Sequence, residues 1–299
     1  IEGQLETYAR CRNTTERHKV LWHAWNHNKR WLIQLLEMVM PSFPSYSKHD
    51  VTHAETVLHN IEMLMGEDEI KKLSASDCFL ILHVVYIHDI GMCITGAYRK
   101  KLLKNPEFLR FLENCRSDLR LKEYADILLA MCKDYEKWPQ FQGNEEDRKK
   151  EMLQMKLKVY YAITYLIAEY RRVDHGKESQ RLLERWIGSG RKLGSGFSTS
   201  GIPSRFFYTI GACAGVHTSY EFDDIMKLSK QDGGYTHDFM HPRFAAVLLQ
   251  LGDALDLDND RFHPLMKKFN GDIPETSKLH FGKHKAIRRL RISPSRITI

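Results

Sequence analysis

The chain has 299 residues, enough for one large domain or a domain and part of another, and its 42% hydrophobic content is ordinary for a globular protein. Lysine and arginine number 45 against 38 aspartate and glutamate, and the resulting +7 favours anionic partners such as nucleotides, nucleic acid or acidic proteins without choosing among them. Six scattered cysteines form no C-x-x-C pair, no apolar stretch reaches the roughly 18 residues that cross a bilayer, and no secretory signal pattern opens the chain, which argues against a disulfide framework, a zinc ribbon or a membrane span. The expectation is a soluble cytoplasmic protein with reduced thiols and no membrane partner. Because the first residue is Ile1 rather than Met, a fragment of a longer chain is expected.

Residues 1–40 place Leu21, Trp22, Trp25, Trp31, Leu32, Leu35 and Leu36 at helical spacing, an aromatic stripe that reads as core packing. PSFPS at 41–45 ends that pattern, since proline cannot continue a helix. A helix is expected to begin near Thr52, because Thr52 and Glu55 have the spacing of a capping box and Val57, Leu58, Ile61 and Leu64 follow with helical period. His53 then lies in the first turn with His49 just before it. If the helix starts earlier, the two form an i, i+4 pair on one face.

The stretch FLILHVVYIHDIGM, Phe79 to Met92, is apolar on nearly every side and predicts a buried helix over 77–90. It ends in His88-Asp89, groups that are costly to bury unless hydrogen-bonded, paired or bound to a metal. The dipeptide alone is uninformative, since His49-Asp50 and His237-Asp238 repeat it.

Residues 105–132 predict one or two amphipathic helices and Glu145 to Arg172 a long one, joined by the polar connection KDYEKWPQFQGNEED. His175-Gly176 interrupts the following pattern and puts an imidazole at the junction with another helix, among Arg171, Arg172, Lys177 and Arg181, each of which singly reads as part of a solvated face. Residues 188–204 are Gly- and Ser-rich, a surface excursion or, alternatively, a mobile flap. A small-residue helix then ends in His217, and a further one carries Asp253 among Leu248, Leu249, Leu251 and Leu255, where a carboxylate calls for a partner. Asp256, Asp258 and Asp260 read as a solvated acidic end. After Pro264, alternation at Leu290, Ile292, Ile297 and Ile299 predicts strands, either leading into another domain or lying as a ribbon against the helices.

Taken in order, His53, His88, Asp89, His175, His217 and Asp253 give the pattern H…HD…H…H…D. This resembles the HD-domain superfamily of metal-dependent phosphohydrolases over roughly residues 46–261. HDVTHAETV, His49 to Val57, is similar to the H-N-x-x-H-A-x-D-V signature of cyclic-nucleotide phosphodiesterases. LLQLGDALDLDNDR, Leu248 to Arg261, is similar to the L-x-x-A-D-x-L-D helix of many HD proteins, including bacterial ones fused to an Hsp90-like ATPase. The resemblance implies an all-α fold: an HD-domain helical bundle within residues 1–278 carrying a helical insertion at about 96–172. A short β segment at 279–299 is expected to begin a covalently linked further domain.

It also implies that His53, His88, Asp89 and Asp253 hold one divalent ion, with Asp89 bridging to a second held by His175 and His217. His49 matches the position whose protonated imidazole donates to the leaving group. An imidazole and carboxylate shell suits Mn, Fe, Zn, Ni or Co, while Mg, also possible, prefers more oxygen. His83, His237 and His241 are read as structural or peripheral, with His241 the replacement should His217 not serve. Where two-metal members read H-D-I-G-K this chain has Met92, and no G-Y-P follows, a departure from the cyclic-dinucleotide phosphodiesterases. Arg99, Lys100, Lys101, Lys177 or Arg181 are the candidates to supply positive charge to phosphate. The expected function is hydrolysis of a nucleotide or related phosphate ester. The alternatives are a nuclease on single-stranded nucleic acid, suggested by net charge and HKAIRRLR, and a nucleotide-sensing module that regulates a downstream ATPase-type domain.

Overall fold

The computed structural model describes residues 1–11, 15–44, 46–133, 144–188, 196–219, 221–235, 238–257, 275–287 and 290–299. The fold is organised around one helix that meets no solvent. This is α4 (Ala75–Ile87), begun by Ser74, whose hydroxyl accepts from Asp77 N, and buried at all 13 of its residues. Full burial of a large aliphatic or aromatic side chain contributes about 1.5–3 kcal/mol, so α4 is the centre of the core. The window Ala75–Met92 is, against expectation, long and apolar enough to cross a membrane by length and composition, with a mean hydropathy of 1.3, yet it is 100% buried among its neighbours.

Those neighbours form one continuous apolar core with it. They are α1 (Glu2–Arg10), α2 (Glu16–Glu37), α3 (Val51–Ile70), α9 (His175–Gly188), α10 (Ser204–Val216) and α12 (Pro242–Ala254). The aromatic stripe of α2 packs as expected: Trp25 is fully buried and meets Tyr86 of α4 edge-on at 5.3 Å. A second core, built on Leu102, Phe108, Leu112, Leu128 and Leu166, is made by α5 (Gly96–Leu102), α6 (Pro106–Cys115), α7 (Lys122–Lys133) and α8 (Glu145–Arg172). Val39, Phe43, Tyr46, Met92 and Ala168 form a smaller cluster of their own.

Three local expectations are corrected. The cap of α3 is Asp50, whose carboxylate accepts from Thr52 N at 3.0 Å, while the Thr52 hydroxyl turns to the same oxygen, so the capping box of Thr52 and Glu55 does not form. A hairpin of β1 (Gln231–Tyr235) and β2 (Asp238–Met240) follows the short α11 (Phe222–Met226), where no strand is predicted. Where alternation predicts strand after residue 278, α13 (Glu275–Ala286) continues as a helix. The β period holds only for β3 (Arg291–Ser293) and β4 (Arg296–Thr298), which pair antiparallel with Ile292 opposite Ile297.

The β3–β4 ribbon lies on α3. At Gly66 that helix breaks with φ +72°, and a Cβ there would come within 2.8 Å of Pro294 Cγ, so the proline at the ribbon's turn requires the glycine. All six cysteines are unpaired. His237, Asp258, Asp260, Arg261 and residues 189–195 of the Gly- and Ser-rich segment lie outside the described residues.

Candidate metal centre

A helix leaves its last four carbonyls without intrahelical partners. Three histidines use that shortage in the same way. His88 follows the last residue of α4 and its Nδ1 donates to Val85 O at 2.7 Å; His217 follows α10 and donates to Ala214 O at 2.6 Å. His175 opens α9 and donates to Arg172 O, the last residue of α8, at 2.7 Å. A carbonyl has no hydrogen, so Nδ1 carries the proton in each ring and a neutral imidazole presents the lone pair of Nε2. His53, in the first turn of α3, reaches the same tautomer through a carboxylate: its Nδ1 lies 2.5 Å from Asp256 Oδ2.

The four Nε2 atoms converge on Asp89. Asp89 Oδ2 is 3.0 Å from His88 Nε2 and 3.2 Å from His53 Nε2, and Oδ1 is 3.1 Å from His175 Nε2 and 3.8 Å from His217 Nε2. The imidazoles also meet in pairs, His53 and His88 at 3.2 Å and His175 and His217 at 3.0 Å between Nε2 atoms. Asp253 Oδ1, from α12, lies 3.4 Å from His53 Nε2. Two groups of donors result, His53 with His88 and Asp89, and Asp89 with His175 and His217; within each group all donor atoms lie within 4.8 Å of one another. His49 stands beside the first group, its ring 5.3 Å from that of His53 and its Nδ1 directed to Ser47 O at 2.7 Å.

These residues fit a divalent cation. Once each Nδ1 holds its proton, the paired Nε2 atoms have no hydrogen to share, and lone pairs 3.0–3.2 Å apart repel unless a cation draws them together. Asp89 Oδ2, although close to two imidazoles, has no donor aligned on it. Without a cation, protons fill that role. Burial opposes the charge on His88 and His175, but the Asp89 carboxylate raises both above the ordinary histidine value. Burial likewise works to raise Asp89, yet His88 and His49, with contacts from His175 and His53, hold it well below the usual carboxylate range. His217, pushed down to about 3 by burial and then by His175 and His88, is a neutral donor.

Backbone packing fixes these distances. Gly91, two residues after Asp89, is placed so that a Cβ would fall 2.0 Å from His175 O and 2.7 Å from Ser179 N. In that space Gly91 N donates to Ser179 Oγ at 2.8 Å, and the hydroxyl in turn donates to His88 O at 2.6 Å. One buried serine thereby ties the turn that carries His88 and Asp89 to the helix that carries His175. Gly176 does the same between α9 and α10, since its Cβ would meet His217 Nδ1 at 2.9 Å. On the other side Asn60 Nδ2 donates to Gly252 O at 3.1 Å, docking α3 against α12 beside Asp253.

Asp256 overturns its sequence reading as solvated: it is 2% exposed and bonded to His53. Asp256 lies two residues past the end of α12, so helical spacing from Asp253 gave no sign of its role. Ser179, Gly91 and Gly176 carried no chemical signal of their own. His83 and His241 are outside the cluster, His83 bonded to Phe79 O at 2.9 Å and His241 to Asp77 at 2.8 Å. Of the residues considered for phosphate, Arg181 is engaged by Asp174 at 3.2 Å and Glu178 at 3.4 Å, Lys177 is exposed two residues past His175, and Arg99 lies half-buried on α5.

An all-helical bundle with a buried histidine and aspartate cluster centred on a His-Asp pair is an HD-type domain. The chain matches the HD-CE family model over residues 43–299 and belongs to that family. No curated protein and no solved structure matches it.

Proposed function

We propose that the protein is a metal-dependent phosphohydrolase acting on a nucleotide or related phosphate ester. The observation that carries this reading is Asp89, a carboxylate with one oxygen in each of two donor groups. Divalent ions of the Mn, Fe, Zn, Ni or Co class, when bound, supply Lewis acidity toward water and phosphate oxygen.

The chain's own residues do the rest. His53, His88, Asp89 and Asp253 form one donor set and His175 and His217, with Asp89, the other. Asp256 orients His53 and keeps its proton on Nδ1, and the carbonyls of Val85, Arg172 and Ala214 do so for the other three rings. His49, beside the cluster, donates its Nδ1 hydrogen to Ser47 O, and in its imidazolium form gives the proton on Nε2 to the leaving oxygen, returning to the neutral ring. Lys177, exposed two residues past His175 on α9, and Arg99, on α5, are the candidates to supply the positive charge of the lysine that Met92 replaces, and Arg181, held by two carboxylates, is the weaker of the three.

The test combines metal analysis of the purified protein with a panel of nucleotides and phosphate esters, run on wild type and Asp89→Ala. Release of phosphate or a nucleoside monophosphate that requires metal and Asp89 is expected. A metal-loaded protein inert across the panel, yet still binding nucleotide through Asp89, would leave the regulatory module as the better description.

A further inference from the structure

Outside the cluster the described surface holds a groove of about 650 Å³ between α3 and the β3–β4 ribbon. This is the size of a small-ligand site. One wall is a stripe of α3, Thr56, His59, Asn60 and Met63, at the i, i+3, i+4 and i+7 spacing of a single helix face; the other carries Arg291 and Arg296. The docking of Pro294 onto Gly66 sets the distance between the walls, so the groove belongs to the fold rather than to a chance surface. Both arginines are exposed, neither forms an ion pair among the described residues, and no carboxylate is among the described residues that line the groove. His59 adds a third nitrogenous group.

The groove begins one helical turn along α3 from a residue of the cluster. Thr56 follows His53 by three residues, about 4.5 Å along the axis, and the stripe to Met63 extends roughly 10 Å further, longer than one phosphate and its ester oxygens. Asn60 links the two regions directly, lining the groove while its amide docks α12 beside Asp253. Cationic side chains with no ion pair among the described residues, beside an extended wall that leads away from the proposed phosphate-cleaving centre, complement a chain of phosphates rather than a single one.

We infer that the α3–ribbon groove binds the phosphodiester backbone of a single-stranded nucleic acid, with Arg291 and Arg296 engaging phosphates that flank the one presented to the metal centre. This rests on the proposed hydrolase reading and narrows its substrate class from nucleotides in general to a polynucleotide strand.

The experiment measures binding of a fluorescent single-stranded DNA octamer to the full-length protein in EDTA, across a salt series. Hydrolysis of bis-p-nitrophenyl phosphate, too small to reach the groove, is measured separately with metal. R291Q/R296Q is expected to bind the octamer at least tenfold more weakly, with a salt slope shallower by about 1.4, and to hydrolyse the small diester at the wild-type rate. Thr56→Glu, which adds a carboxylate to the helical wall without touching the ribbon, is expected to weaken octamer binding likewise. Unchanged octamer binding by both variants overturns the inference, as does displacement of the octamer by equimolar AMP, which would assign the groove to mononucleotides. A wild type that binds the octamer through the arginines but hydrolyses nothing overturns the hydrolase reading and leaves the groove assignment standing.

Discussion

His53 Nδ1 and Asp256 Oδ2 lie 2.5 Å apart, a buried contact that joins the first turn of α3 to the end of α12 across 203 residues of chain. The bond fixes the tautomer that leaves Nε2 free for a cation. Replacing Asp256 by alanine is expected to lower metal affinity about 10- to 100-fold, the usual cost of losing a partner that orients a ligand. Asp256→Asn, which keeps an acceptor at the same place, recovers part of it. Competition with a chromophoric chelator checks both values; equal affinity in wild type and Asp256→Ala would remove the orienting role.

Asp89 belongs to both donor groups, so its loss differs from that of a peripheral ligand. Asp89→Ala is expected to reduce metal content at both sites together, while Asp253→Ala depletes the His53 side alone. Metal stoichiometry by plasma emission spectroscopy separates these outcomes. Retention of a full complement by Asp89→Ala would show that the carboxylate is no bridge.

Gly91→Ala introduces a Cβ 2.0 Å from a backbone oxygen, where neither partner is the end of a flexible side chain. Strain of this kind at a buried position costs roughly 3 kcal/mol or more. Urea unfolding is expected to show a loss of stability of that size, whereas Gly96→Ala, where a Cβ meets nothing within 4 Å, is near neutral.

Acid sensitivity arises at a histidine away from the metal centre. His83 is fully buried, its Nδ1 donating to Phe79 O at 2.9 Å and its Nε2 facing Asn28 Nδ2 at 3.2 Å, and burial pushes it down to about 3. Between that value and the ordinary 6.5 the unfolded chain binds a proton that the folded chain refuses. Stability is therefore retained above pH 6.5 and lost as pH falls below it, by up to about 1.4 kcal/mol per pH unit from this group. His83→Phe is expected to flatten that part of the stability profile, read from urea midpoints between pH 4.5 and 7; an unchanged slope contradicts the assignment.

Much of the helical order was legible in the sequence because it rests on local chemistry. The bounds Glu145–Arg172 follow from an Asn144 cap, an acidic first turn and a basic last turn, all within reach of a short window. An imidazole at the end of an apolar run is likewise visible, because the unsatisfied carbonyls that orient it lie three residues back. What escaped depends on distant partners. Asp256 sits in an acidic run that reads as solvated until α3 covers it. The cap of α3 falls to Asp50, two residues before the Thr52 that the capping-box spacing points to. Residues 279–286 fall within the basic stretch expected as β from the alternation at 290–299, yet they complete a helix whose start lies earlier, at Glu275.

The bond from each ring nitrogen to a carbonyl three residues earlier, shared by His88, His175 and His217, has a consequence for how such a chain can change. Each ligand carries its own aiming device within four residues, so the stretches between ligands are released from that duty. Among the described residues, those of the segment from Ile94 to Tyr170 build most of a second core while contributing no donor to the cluster. Length can be gained or shed there, and new surfaces tried, with the aim of the imidazoles left intact.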